Sequence, residues 1–263
     1  MEAFRSSRVA PGRARIEGWL LLLALALSLP AAAMDDGKFR FYAYAYDLKT
    51  NKYLYTEVHE QNVVNGKWIG GIISYYAADG SSLGRKTLDF SKDEFVPVYR
   101  LDLTQEGYME GITGNGEKIE MTRQSGPRED IETATVKRDG LMVADSGFHS
   151  FLSAHFAELM SGQTLRFRFA VAGNLDSFKF KGKRIADTTF EGKPAVRFLV
   201  ELDSLLNLLG GPLEVTYDPE KRKLLEYRGV SNVHDPRSGK AYDVRIAYYS
   251  TPPADAPKLP PLQ

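Results

Sequence analysis

The sequence predicts a mostly-β fold: a curved antiparallel meander or half-barrel with one central amphipathic helix against its concave face. Three observations carry that expectation. Turn dipeptides recur at hairpin-like intervals, the runs between them are rich in aromatic and β-branched residues, and a single segment breaks the pattern with helical spacing. Short, evenly spaced strands with hairpin turns indicate an antiparallel sheet, not a βαβ fold.

Residues 39–46 alternate aromatic and small side chains, which makes one strand face bulky. Turn chemistry follows at Asn65-Gly66, Asp79-Gly80, Asn115-Gly116, Asp139-Gly140, Glu191-Gly192, Asp218-Pro219 and Ser238-Gly239. Asn-Gly and Asp-Gly readily take the positive φ that two-residue hairpins need. The strand-like runs are 67–76, 95–103, 118–123, 164–171, 178–185, 195–202, 213–217, 224–230 and 242–249.

Residues 147–161 place Phe148, Phe151, Leu152, His155, Phe156, Leu159 and Met160 at helical spacing. Ser146 is the expected N-cap and Gly162 the expected stop. A shorter helix is expected over 204–209, ended by Gly210, Gly211 and Pro212. The long helix has a job in such a fold, because an open antiparallel sheet must bury one face.

The chain divides into three parts. Residues 1–33 read as a cleavable secretory signal peptide. Arg5, Arg8, Arg13 and Arg15 form a basic flank, an apolar run from Trp19 to Leu29 follows, and Ala31 and Ala33 offer a small-residue cleavage site. The apolar run is about half of the roughly 20 residues a spanning helix needs. Residues 34–250 read as one mostly-β domain, and 251–263 as a Pro-rich, poorly ordered tail. The leader holds four of the 34 basic and two of the 34 acidic side chains, leaving 30 and 32 and a formal charge of −2. That balance argues against nucleic acid as a partner, which needs a basic face. The chain has no Cys, so it is neither a lipoprotein nor a disulfide-framed domain. With no N-glycosylation sequon either, a bacterial periplasm is the expected location, with no transmembrane anchor after signal cleavage.

Motifs for catalysis are sparse. There is no Cys nucleophile, no G-x-S-x-G elbow, no phosphate loop and no H-E-x-x-H. His149 and His155 are six apart, so they point about 120° apart on a helix and cannot chelate one metal. Asp145 stands four residues before His149. It could orient that imidazole for base work, or simply favour the positive end of the helix. Glu57 and His59 share a strand face but lack a nameable third metal ligand, and His234 sits before a turn. Asp93-Glu94 and Glu129-Asp130 read as solvated loop charge. No metal site and no cofactor are expected.

Aromatic residues concentrate in the strands and the helix. Tyr42, Tyr44, Trp68, Tyr75, Phe148, Phe151, Phe156, Phe167 and Phe169 are the candidates for lining a ligand cavity, and the same residues would serve as ordinary core.

The segments ADSGFHSFLSAHFAELMSGQTLRFRFAV (144–171) and GGPLEVTYDPEKRKLLEYRGVSNVHDPRSGKAYDVRIAYY (210–249) resemble uncharacterised exported proteins of Gram-negative bacteria. Strands wrapped around a helix are also similar, in architecture alone, to the LolA/LolB-like lipoprotein carrier fold. That resemblance implies a hydrophobic cavity but transfers no binding residues. The sequence therefore favours a non-enzymatic exported protein that binds an apolar or amphipathic ligand, such as a lipid or acyl chain, in its sheet concavity. A structural module binding another cell-envelope protein through a sheet edge is the alternative, and an envelope hydrolase using Asp145 and His149 is a third reading. An outer-membrane barrel fits less well, since the chain ends in a Pro-rich tail and several strands lack clean alternation.

Overall fold

The structure is a computed structural model that describes residues 36–203 and 211–257. The expected signal peptide, the short helix over 204–209 and the last residues of the tail lie outside the described residues.

The chain is mostly β, as the turn pattern predicts. Eight strands come first: β1 (Gly37–Asp47), β2 (Tyr53–Val64), β3 (Lys67–Ala77), β4 (Ser82–Asp89), β5 (Val98–Leu103), β6 (Tyr108–Asn115), β7 (Lys118–Gln124) and β8 (Glu132–Lys137). After β9 (Met142–Ala144) come the helices α1 (Gly147–Ala154) and α2 (Phe156–Met160). The chain closes with β10 (Leu165–Val171), β11 (Asp176–Phe190), β12 (Lys193–Leu202), β13 (Leu213–Tyr217), β14 (Leu224–Asp235) and β15 (Lys240–Ala247). All fifteen strands form one sheet in the order β8-β7-β6-β5-β4-β3-β2-β1-β15-β14-β13-β12-β11-β10-β9. Two meanders thus run outward from the β1–β15 pair.

Most turn dipeptides close hairpins. Asn65 and Gly66 have φ 52° and 69°, and Glu191 and Gly192 have φ 47° and 74°, the double positive φ of a tight hairpin. Asp139-Gly140 differs. Its chain crosses from one end of the sheet to the other, and β9 pairs with β10 in parallel. Parallel neighbours cannot be joined by a two-residue turn, and here α1 and α2 make the connection.

The two ends of the sheet are held near each other. Arg123 Nη1 on β7 donates to Gly173 O in the β10–β11 connection at 2.9 Å. Ala144 N on β9 donates to Phe95 O at 2.9 Å, while within the first meander Arg138 pairs with Asp93 at 2.7 Å. Asp93 is therefore no idle loop charge: it also accepts from Phe95 N and Val96 N.

Two cores result. The first lies on the inner face of β1–β7, β14 and β15, with Ala43, Ala45, Tyr55, Tyr75, Leu101, Ile112 and Val244 at its centre. The second packs Phe148, Phe151, Leu152, Phe156 and Leu159 of the helices against Phe167, Phe180, Phe198, Val215 and Tyr217. The helix expected over 147–161 bends at His155, which has φ −96° and ψ 19°. Below the bend, Phe156 meets Phe198 edge-on at 5.4 Å. Ser146 is not a side-chain cap: its backbone is already helical, and its hydroxyl donates to Asp145 Oδ1 at 2.7 Å. Gly162, at φ 85°, ends the segment as expected.

Candidate functional site

Strand register brings one row of inner-face residues into line. Cα pairing runs Phe41–His59–Ile73–Lys86–Leu101–Glu110–Arg123–Glu132 across β1 to β8. Because side chains alternate faces along a strand, this rung sets charged groups among apolar ones inside the first core. Glu57, His59, Lys86 and Glu110 are all buried. Buried polar and charged groups persist when paired and hydrogen-bonded, and each of the four has at least one partner.

Lys86 Nζ donates to Asp145 Oδ2 at 2.6 Å. Asn232 Nδ2 donates to the same oxygen at 2.9 Å, while Asp145 Oδ1 accepts from Ser146 N and Oγ. Burial alone would raise the Asp145 pKa, but the Lys86 charge and these hydrogen bonds outweigh it and hold the carboxyl below its ordinary value. Glu110 accepts from Tyr99 at 3.0 Å and Tyr108 at 2.7 Å. Burial, reinforced by neighbouring carboxylates, keeps the Tyr55, Tyr75 and Tyr99 phenols protonated by raising their pKa values well above normal.

The sheet opens where β15 ends. The last β1–β15 pair is Tyr44 with Ala247, while β1 continues back to Gly37. The resulting notch has a volume of about 180 Å3, and its walls include Phe41, Tyr42, Tyr44, Tyr248, Tyr249 and Lys223. Tyr44 and Tyr249 lie with ring centroids 6.3 Å apart, and burial pushes the Tyr44 phenol up to about 12. On the inner side, His59 stacks on Phe41 at 4.6 Å and meets Tyr248 at 5.8 Å. His59 Nε2 donates to Glu57 Oε2 at 2.7 Å. Its other ring nitrogen, Nδ1, is buried and has no hydrogen-bond partner among the described residues.

A second, polar cleft of about 510 Å3 lies between the β5–β6 turn and β14 and includes Glu106, Tyr108, Arg123 and His234. His234 Nδ1 donates to Glu106 Oε2 at 2.9 Å, and its ring sits 4.4 Å from that of Tyr108. Arg123 is held by Glu132 and Gly173.

No protein-family model, curated protein or solved structure matches this chain.

The nine aromatic candidates divide. Tyr42 and Tyr44 line the notch. Tyr75 is 1% exposed in the first core, and Trp68 covers Phe90 at 4.2 Å while donating to Gly70 O. Phe148, Phe151, Phe156 and Phe167 belong to the second core, with Phe169 packed against it. Asp145 and His149 do not pair: Asp145 is engaged by Lys86, and His149 Nδ1 lies 3.0 Å from the Tyr217 hydroxyl. Glu57 and His59 do meet. Among the described residues no group of three or more His, Asp or Glu could hold a metal ion.

Lys86, Glu110 and Asn232 are the residues that sequence reasoning missed. A signal existed for the first two. Gly84, Lys86 and Leu88 share one face of β4, and Tyr108, Glu110 and Ile112 share one face of β6, so each charge alternates in step with apolar neighbours.

Proposed function

We propose that this is an exported, non-enzymatic β protein that binds an amphipathic ligand, a lipid or acyl chain, with one end held in the aromatic notch between β1 and the end of β15. The observation that carries the reading is the notch itself: five aromatic rings around about 180 Å3 at the Tyr44–Ala247 end of the β1–β15 pairing. Ligand sites for drug-sized molecules span roughly 300–1,000 Å3, so this opening suits a chain end or a single ring. The leader supports release into a periplasm, with the working chain starting near Met34.

Native mass spectrometry of the protein purified from its host, with organic extraction of the same sample, tests the proposal. A co-purifying lipid, or enhanced fluorescence of an added acyl probe that Tyr44→Ala abolishes, is the expected result. A clean apo mass together with no probe response would reject it. Intact mass also checks export, because a mature chain that still begins at Met1 contradicts the leader.

A second reading is an interaction module for another envelope protein. The observation in its favour is the exposure pattern of β8, a terminal strand whose Glu132, Thr133, Thr135 and Lys137 are all exposed. Terminal strands offer backbone groups for pairing. A specific partner recovered from envelope extract, and lost on Thr135→Pro, would favour this reading.

A further inference from the structure

His59 lies next to the notch, its ring stacked on the wall residue Phe41 at 4.6 Å. The Glu57 carboxylate can only accept a hydrogen bond, so the 2.7 Å contact puts the ring proton on Nε2. In the neutral ring Nδ1 is then a bare lone pair. It is buried, its ring packs on Phe41 and Tyr248, two of the five aromatic residues that wall the notch, and no described residue satisfies it. Buried polar atoms are nearly always hydrogen-bonded, and an exception asks for a reason.

From this we infer that the notch selects an uncharged amphiphile that carries a hydrogen-bond donor, such as a hydroxyl or amide N–H, and that the donor is given to His59 Nδ1. The inference rests on the notch being the ligand site, as proposed above. Charge favours a neutral donor over a carboxylate. Glu57 stands directly behind His59 and is itself buried, so an anion at this depth meets another anion. The cation of the notch wall, Lys223, comes from the β13–β14 turn, on a different element from the His59 strand.

Three probes of equal chain length separate the possibilities: 1-octanol, which has a donor, octyl methyl ether, which has none, and octanoate, which is charged. Calorimetric titration of the full chain should show octanol binding about tenfold tighter than the ether, the scale of one satisfied buried hydrogen bond. His59→Phe keeps a ring on Phe41 but removes the acceptor, so the ratio should fall to about one while ether binding persists. Glu57→Gln supplies an independent check, with 15N chemical shifts of His59 reporting the tautomer: where the Gln amide donates to Nε2, the ring proton moves to Nδ1. The octanol advantage should then disappear, because both probe oxygens can accept from Nδ1–H. If His59→Phe fails to fold, the wild-type ratio and the Glu57→Gln result decide alone. Equal binding of octanol and ether to the wild type overturns the donor inference and leaves the notch as a site. Tightest binding by octanoate overturns it in favour of Lys223, and binding of none of the three removes the notch reading as well.

Discussion

Lys86 and Asp145 form a sealed ion pair: Nζ and Oδ2 are 2.6 Å apart, and each side chain is about 5% exposed. The pair fastens strand β4 to the turn that launches α1, joining the two halves of the sheet at a point where the backbone makes no ladder between them. Asp145 holds φ 42°, a left-handed conformation, and its side chain braces Ser146. Geometry and charge at this turn therefore depend on each other.

Breaking the pair from one side should be costly. Lys86→Met leaves a buried carboxylate with only Ser146 and Asn232 as donors, and should destabilise the fold by about 3–5 kcal/mol. Adding Asp145→Asn to Lys86→Met removes the stranded charge and should recover part of that loss, giving a double variant far less damaged than the sum of the singles. Urea unfolding of the four proteins measures the cycle. The Asp145 pKa is depressed in the fold, so its contribution is complete above the ordinary carboxylate value near 3.8 and is lost as pH falls through the folded value. A Lys86→Met loss under 1 kcal/mol would show that water reaches the pair.

Gly147 begins α1 against the loop that precedes β5. A Cβ there would collide with Phe95 O and lie 2.8 Å from Pro97 Cδ. Both neighbours are constrained, since Phe95 O accepts from Ala144 N and proline is rigid. Gly147→Ala should therefore cost roughly 1–3 kcal/mol despite the higher helix propensity of alanine. Thermal melts beside Gly140→Ala, where the added carbon meets open space but φ is 62°, separate collision from backbone strain.

Local structure was legible in the sequence to the extent that it is written locally. The alternation in 39–46 and the run 213–217 correspond to β1 and β13 because side-chain period and turn residues act over a few positions. Strands β4 and β6 lie outside the expected runs because glycine and charged residues interrupt their apolar positions, β8, Glu-Thr-Ala-Thr-Val-Lys, because both its faces are largely polar, and β9 because three residues carry no period. The site was less legible for a different reason. Lys86 and Asp145 are 59 residues apart, and Asn232 is 87 from Asp145, so only the register of a whole meander brings them together. Asp145 and His149 look like a pair in sequence, yet each finds a stronger partner at long range.

Phe151 and Tyr44 carried the same expectation, and the structure gives them different work. Phe151 is 0% exposed in the second core, between Phe95, His155 and Phe167. Phe151→Ala should cost about 3–5 kcal/mol, the range for emptying a buried aromatic site. Tyr44 packs on the outer face with Tyr249 and lines the notch. Tyr44→Ala should cost less stability and remove binding of an acyl probe. Chemical denaturation paired with probe titration reads both quantities, and a Phe151→Ala protein that remains stable but loses the probe would move the ligand site to the helices.

His149 should set the stability of the fold in mild acid. Burial against Tyr217 lowers its pKa from 6.5 to about 4, and the hydroxyl contact at 3.0 Å suits a neutral ring. The unfolded chain takes up a proton near pH 6.5, whereas the folded chain resists until about pH 4. Between those values the unfolded state holds more protons, so stability rises with pH across this window and is lost as pH falls through it. The full difference is at most about 3.4 kcal/mol, reduced by the partial exposure of the residue. His149→Gln keeps a group that can bond Tyr217 but cannot titrate, so its stability should fall less steeply from pH 6.5 to 4 than that of the wild type. The Asp145 contribution falls away only below that window, which separates the two effects in one series of urea melts. Parallel declines in wild type and His149→Gln would mean that this imidazole is already charged in the folded protein, and that Tyr217 accepts its proton instead of giving one.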